Sequence, residues 1–351
     1  MKTYTIPFNK LSMNDLNRVG GKNASLGEMI NGLSSMYISV PDGFAITTEA
    51  FYEFLSFNDL SPLIQDTLNR LDHQSLKNLP EVGLTCWELV MKSNFPKGIE
   101  NAIKLTYNKL MEGSLIHSVA VRSSATAEDS PTASFAGQHD SFLNVTGSEN
   151  VLLAVKQCYA SLFNDRAIKY RIDNGFPHMQ VAQSVGVQLM VRSDKGSAGV
   201  IFTIEPETGN ENLIYLTGAW GLGESVVQGA VNTDEFYLFK PALEKGRNAI
   251  VNRSLGAKEQ MIIYGNTPEK KTMWQETPPA LRDQFILSDD EVSLLGKWSL
   301  RIERHYKTAM DIEWAKDGIS GKLFIIQARP VTVHSNHENI AVKEYTFSTD
   351  V

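Results

Sequence analysis

The 351 residues read as an α+β protein, a helix-rich first part followed by a second part of short, mostly antiparallel strands. Three observations predict this. Apolar residues recur at helical spacing as far as residue 172, as in Leu26, Met29, Ile30 and Leu33 or in Ile64, Leu68 and Leu71. From Val185 the pattern changes to short β-type runs separated by clusters of Gly, Pro, Asn and Asp. Near the end, two runs of alternating character flank the turn Asp317-Gly318-Ile319-Ser320-Gly321.

Taken in order, Gly20-Gly21 precedes Lys22 and opens a helical pattern, which sets Lys22 near a helix N-terminus. Such a position joins amide donors, a favourable dipole and an ammonium, and so suits an anion. Gly-Gly-Lys alone lacks the spacing of a P-loop, and an exposed surface lysine remains open. Val40 to Thr47 reads as turn plus strand, and Thr48 is a candidate cap for a helix from Glu49 to Leu55. Ser61-Pro62 marks another helix start, and further helices fit Glu81 to Lys92 and Ile99 to Met111. Phe142 to Val145 is a strand, and Val151 to Ile172 reads as one long helix. The β-type runs follow at Val185 to Val191, Ala198 to Ile204, Leu213 to Leu216, Glu235 to Lys240 and Gln260 to Tyr264. Trp220-Gly221-Leu222-Gly223-Glu224 lacks a full G-x-G-x-x-G, which argues against a nicotinamide or flavin site.

The stretch from Val119 to Asp129, V-A-V-R-S-S-A-T-A-E-D, continues to S-F-A-G-Q at 134 to 138. A short strand delivers Arg122, and a series of small residues follows. Small side chains let backbone N–H groups approach an anion, and a guanidinium matches phosphate oxygens. Polyphosphate handling is the chemistry suggested; on composition alone, a solvated loop after a strand is an equal alternative.

Met310-Asp311-Ile312-Glu313-Trp314-Ala315 and Phe324-Ile325-Ile326-Gln327-Ala328-Arg329 can be tested by counting. Directly opposed residues in an antiparallel hairpin have a constant index sum and share a face. Glu313 with Gln327 and Asp311 with Arg329 have the same sum, so one register gathers all four into one patch. Oxygen ligands there suit Mg²⁺, which takes one or two carboxylates plus phosphate oxygens and water. The expected ligands are Glu313 and Gln327, with Asp311 as an additional or supporting ligand and Arg329 on phosphate. Ordinary cross-strand ion pairing is the alternative.

A formal net charge of −7, with no basic block, argues against a nucleic-acid or anionic-membrane surface. Cys86 and Cys158 stand far apart in apolar settings and read as buried reduced thiols. The opening M-K-T-Y-T-I-P-F is too polar for a signal peptide, and no run approaches membrane-spanning length, so the expected location is cytoplasmic.

The Arg122 stretch resembles the nucleotide-binding part of the phosphoenolpyruvate synthase family, with related loops in pyruvate phosphate dikinases and rifampin phosphotransferases. The resemblance extends to V-G-G-K-N-A-S-L-G-E-M at 19 to 29, A-S-L-F-N-D-R-A-I-K-Y-R at 160 to 171, G-V-Q-L-M-V-R-S at 186 to 193, W-G-L-G-E-S-V-V-Q-G at 220 to 229, M-D-I-E-W-A and I-I-Q-A-R-P-V-T-V. It implies an ATP-grasp-like fold, with a nucleotide cleft between a helix-rich first lobe (1–184) and a hinge plus antiparallel second lobe (185–340). Residues 341–351 would begin a linker. It further implies ATP phosphates on Lys22, Arg122 and Arg329, with Thr126 and Gly137 in the phosphate loop. Adenine would lie on a hinge containing Gln188, Met190 and Val191, and Mg²⁺ on the ribbon. In that family ATP phosphorylates a histidine on a mobile domain, and a pyruvate-binding domain then receives the phosphoryl group. The histidines at 73, 117, 139, 178, 305, 334 and 337 lack the family's T-S-H setting, so those two domains are expected partners outside this chain. Two other readings stay open, a rifampin phosphotransferase module and a regulatory nucleotide-binding module.

Overall fold

The computed structural model describes residues 2–33, 38–114, 116, 118–126, 129–130, 133–134, 141–265 and 271–331. Strands β1 (Thr5–Pro7), β2 (Gly43–Ile46) and β3 (Val119–Ala125) are followed by a short ribbon, β4 (Asp129–Ser130) and β5 (Ala133–Ser134). With β6 (Ser141–Val145) and β7 (Gln183–Leu189) they build the first sheet, five antiparallel strands in the order β1-β2-β7-β3-β6. The second sheet takes β8 (Ser197–Phe202), β9 (Leu213–Trp220), β10 (Asp234–Phe239) and β11 (Ile250–Ser254). Beyond the separate hairpin β12 (Gln260–Tyr264) and β13 (Thr272–Glu276) come β14 (Met310–Lys316) and β15 (Leu323–Pro330), giving the antiparallel order β11-β10-β9-β8-β14-β15. The α+β class is therefore as the periodicities indicate.

Helices α1 (Leu16–Gly32), α2 (Thr48–Phe57), α3 (Leu60–Leu68), α4 (Leu79–Lys92), α5 (Lys97–Met111), α6 (Ser148–Ser161) and α7 (Asp165–Asp173) belong to the first part. The short α8 (Glu224–Val227), α9 (Lys240–Glu244) and α10 (Pro279–Arg282) precede the long α11 (Asp289–Tyr306). Thr47, not Thr48, caps α2, its hydroxyl accepting from Ala50 N–H. The helix expected over 151 to 172 is two, because Asn164 takes an extended conformation (ψ 148°) between α6 and α7. That break turns the chain while leaving Phe163 3% exposed in the first core.

Two large cores result. One packs α2 to α7 against one face of the first sheet, with Val121, Val185 and Val187 beneath Val155 and Tyr159. The other joins α1, α9 and α11 to the second sheet through Val19, Met29, Leu295, Trp298, Ile312 and Trp314. Ala45 of β2 belongs to this second core, so α1 lies between the two sheets. The run beginning at Val185 is in the first sheet, β7 standing between β2 and β3. Its nearly continuous burial is that of a strand covered on both faces, while β10 and β14 alternate. The chain thus changes sheets at 190–196, after β7, and not between 184 and 185. Gly137, His139 and the expected linker at 341–351 lie outside the described residues. Both cysteines are free and buried, and burial pushes the Cys86 thiol up to about 11.

Candidate functional site: a basic strand and helix facing a carboxylate ribbon

The β14–β15 ribbon has the register obtained by counting, with Asp311 opposite Arg329, Ile312 opposite Ala328 and Glu313 opposite Gln327. The pairing then slips by one residue, between Glu313 and Trp314, so that Trp314 meets Ile325. Ile312 and Ala328 face the second core, which turns the four polar residues to the opposite side. Arg329 grips one carboxylate oxygen of Asp311 with Nε at 2.9 Å and Nη2 at 2.7 Å. Burial nevertheless raises the Asp311 pKa; Arg329 opposes that shift and the neighbouring Glu313 charge adds to it.

Arg122 reaches this ribbon from the first sheet. It sits on β3 opposite Gly186 and Ser141, and its Nη1 lies 3.3 Å from Glu313 Oε2. Its Nε is buried and has no hydrogen-bond partner among the described residues. A guanidinium with donor capacity to spare, one contact away from a carboxylate, is arranged to take an anion. Thr126 closes the end of β3: its N–H donates to the Ala182 carbonyl (3.1 Å), and its hydroxyl accepts from Ala182 N–H (3.3 Å).

Lys22 arrives on α1. The helix breaks at Gly20 (φ 73°, ψ 166°), so a second helical segment starts at Gly21, with half-buried Lys22 as its second residue. Only glycine fits at Gly20: besides the positive φ, a Cβ there would stand 2.2 Å from the Ser124 carbonyl oxygen. The following residues tie the segment to both sheets. Asn23 bonds to Ser124 and Ser184, while the Ser25 hydroxyl donates to the Ala328 carbonyl at 2.8 Å. Lys22 is therefore carried by the part of α1 that spans from β3 and β7 to β15.

The residues expected to form the hinge run from the end of β7 into the crossing between sheets. Gln188 pairs with Gly43 and Ala120 and, 2% exposed, directs its side-chain amide to the Pro41 carbonyl at 3.4 Å. Met190 N–H donates to the Ser118 carbonyl, and its side chain packs with Ala120, Leu222 and Ile262. Val191 packs instead with Ala198 and Ala315 of the second sheet. Arg192 N–H then donates to Asp317 Oδ2 at 3.2 Å, anchoring the crossing on the turn between β14 and β15. Gly221 (φ 90°) makes a tight turn whose Cβ position is 2.4 Å from the Ile262 carbonyl, so the W-G-L-G motif shapes this wall.

Among the described residues, no three of His, Cys, Asp and Glu converge to hold a metal. Glu313 and Gln327, with Asp311 alongside, still suit Mg²⁺, which typically takes one or two carboxylates and completes its shell with phosphate and water. The donor set fits a cation brought in with a polyphosphate. Sequence reading had missed Asn23, Ser124 and Ser184 as supports, although the GGKN and RSS motifs contain two of them.

Two antiparallel sheets joined by a broken helix, with Arg122 of one meeting the carboxylate–amide ribbon of the other, define a two-part α+β protein. The chain belongs to the family described as pyruvate phosphate dikinase, AMP/ATP-binding domain, which matches residues 16–348. It is 50% identical over 341 residues to phosphoenolpyruvate synthase of Escherichia coli (strain K12), covering 97% of this chain and 43% of that protein. It is 48% identical over 347 residues to phosphoenolpyruvate synthase of Pseudomonas aeruginosa (strain UCBPP-PA14), covering 98% and 44%. A probable phosphoenolpyruvate synthase of Methanocaldococcus jannaschii is 41% identical over 327 residues, covering 93% of this chain and 26% of that protein. The chain thus spans less than half the length of these curated relatives. No helix among the described residues is long and apolar enough to cross a membrane.

Proposed function

We propose that this chain is the ATP-binding, phosphoryl-donating module of a phosphoenolpyruvate synthase, a pyruvate, water dikinase that converts ATP, pyruvate and water into phosphoenolpyruvate, AMP and phosphate. The observation that carries the reading is the meeting of Arg122 with Glu313 across the two sheets, in a member of a family described by AMP/ATP binding. We read residues 1–340 as one ATP-grasp-like domain, with the two sheets as its lobes and the nucleotide between them. Adenine would lie against the end of β7 and the crossing, at Gln188, Met190 and Val191, and the phosphates among Lys22, Arg122, Thr126, Gly137 and Arg329.

Phosphoryl transfer needs alignment and neutralisation of spreading negative charge more than it needs a protein nucleophile at the nucleotide. Arg122 and Lys22 supply that charge from the first sheet and α1, and Arg329 from the ribbon. Glu313 and Gln327, with Asp311 beside them, would hold Mg²⁺, which when bound would supply positive charge to offset that of the phosphates. Arg122 would meet phosphate through the donors that Glu313 does not occupy. The acceptor is a histidine on a separate domain, and a pyruvate-binding domain completes the reaction; the longer relatives have room for both. Their names favour pyruvate over an antibiotic as final acceptor. Two buried free cysteines agree with work in the reducing cytoplasm.

Calorimetric titration with Mg-ATP tests the site: Arg122→Ala and Glu313→Ala should each bind more weakly than the wild type, and equal affinities in all three would remove both residues from it. Labelled ATP with a separately supplied histidine domain tests the transfer. Tight binding without label on that histidine would leave a regulatory nucleotide-binding module instead.

A further inference from the structure

The break in α1 disturbs the helix's own hydrogen bonding. In an uninterrupted helix the Asn23 N–H would donate to the Val19 carbonyl. Here the Asn23 N–H donates to Ser124 Oγ at 3.3 Å, and the Asn23 side-chain Nδ2 takes its place on the Val19 carbonyl at 3.0 Å. The same Nδ2 donates to Ser184 Oγ at 3.0 Å, and that hydroxyl in turn donates a hydrogen bond to the Ile46 carbonyl at 2.7 Å. Asn23 is 2% exposed, and Ser124 and Ser184 are fully buried. Gly186 makes room for the brace, since a Cβ there would stand 2.3 Å from Asn23 Oδ1.

We propose that Asn23 is a positioning residue for the phosphate end of the site, a role that rests on the ATP-binding reading above. Two members of the network, Asn23 and Ser124, are each one step from a proposed phosphate ligand. Lys22 precedes Asn23 in the chain, and Arg122 is the same-face neighbour of Ser124 on β3. Asn23 substitutes its side chain for the missing backbone donor, which stabilises the break. It also fastens the new helix start to Ser184 on β7, which pairs with Ser124 of the strand bearing Arg122. The two cations are thereby held at a fixed mutual position by buried, satisfied hydrogen bonds. Without the amide, the Val19 carbonyl and Ser184 hydroxyl lose a donor, and straightening of the helix toward the ordinary Asn23-to-Val19 backbone bond becomes favourable. That change swings Lys22 away from β3.

A double-mutant cycle tests this. In this chain, Asn23→Ala should weaken Mg-ATP binding about tenfold or more, the scale of one charge-assisted hydrogen bond. Adenosine, which has no phosphate, should keep its affinity within about twofold on the same scale. In a Lys22→Met background Asn23→Ala should add little, because the effect passes through Lys22. Ser184→Ala should act in the same direction and more weakly, and it carries the test if Asn23→Ala does not fold. Equal losses for ATP and adenosine, full additivity with Lys22→Met, or unchanged ATP binding would each overturn the positioning role. Unchanged ATP binding in Lys22→Met alone would instead sink the assignment of Lys22 to phosphate, and the inference with it.

Discussion

The two sheets expose their surfaces differently, and the difference bears on the polar patch that the ribbon presents. In the first sheet β7 is buried along almost its whole length, Val185 and Val187 under α6 and Ser184 and Gly186 against α1. In the second sheet alternate residues enter the core, as Ile201, Leu216, Phe236 and Ile312 do, while Phe202, Tyr215, Tyr237 and Asp311 form a half-buried row on the other side. A sheet closed on both faces presents side chains only where its covering helix leaves an opening, as at Arg122. A sheet with one open face can present a whole patch, as the ribbon does. Substitutions in the ribbon's polar patch should therefore change binding at little cost in stability, and substitutions in the closed sheet's packed interior should cost stability first.

The largest expected effect is on binding. Glu313→Ala should lower Mg-ATP affinity on the order of 100-fold, equivalent to roughly 1.5–3 kcal/mol for contacts with a charged group. Its melting temperature should stay close to wild type, because the Arg122–Glu313 pair is partly exposed, at 23% for each side chain, and such pairs contribute about 0–1 kcal/mol. Titration calorimetry and a thermal melt on the same sample separate the two. A collapse of stability with retained affinity would reverse the assignment.

The converse holds for Gly186→Ala. The added methyl would stand 2.3 Å from Asn23 Oδ1 in a region with no slack, which costs about 1–3 kcal/mol. On the open face, Val200→Ala, opposite Glu313, should cost less than about 1 kcal/mol. Urea denaturation of the two variants gives the contrast directly. Equal costs would mean that the second sheet is covered as the first one is.

These contrasts also show what the sequence could reveal. Residues that alternate around a short turn have few possible pairings, so simple counting placed Glu313 opposite Gln327. The Gly-Gly-Lys helix start was legible because the glycine that breaks α1 is itself the signal. The assignment of β7 to the first sheet was not, because its partners on β2 are more than a hundred residues earlier. The Asn23 brace joins residues 161 apart, and the Arg122–Glu313 pair residues 191 apart. Neither leaves a local pattern. The break after Ser161 has no Gly or Pro to announce it; burial of Phe163 against the first core favours the turn there.

The pH dependence of binding sharpens the same comparison at one residue. Burial raises the pKa of Asp311, so this carboxyl takes up a proton at a higher pH than an ordinary aspartate. Cation binding requires the ionised form. Mg-ATP affinity should thus begin to fall, as pH is lowered, above the usual carboxylate range. Stability has the opposite sign: a raised native pKa means that ionised Asp311 costs stability above its unfolded pKa, a cost relieved as pH falls through the native pKa. Asp311→Asn should flatten both trends, which titrations and melts over a pH series would show. A profile unchanged by that substitution would assign the dependence elsewhere.

The smallest expected effect marks where the site ends on the open face. Tyr215 is two strands from β14, and its hydroxyl donates to Glu235 Oε1 at 2.9 Å. It lies in the same row as Asp311, through Phe202, but no proposed phosphate or metal ligand touches that hydroxyl. Tyr215→Phe should therefore cost about 0.5–1.5 kcal/mol of stability, the net value of one hydrogen bond, and leave Mg-ATP affinity unchanged. If affinity falls instead, the open face takes part in binding as far as β9, and the ligand must extend beyond the ribbon across the aromatic row.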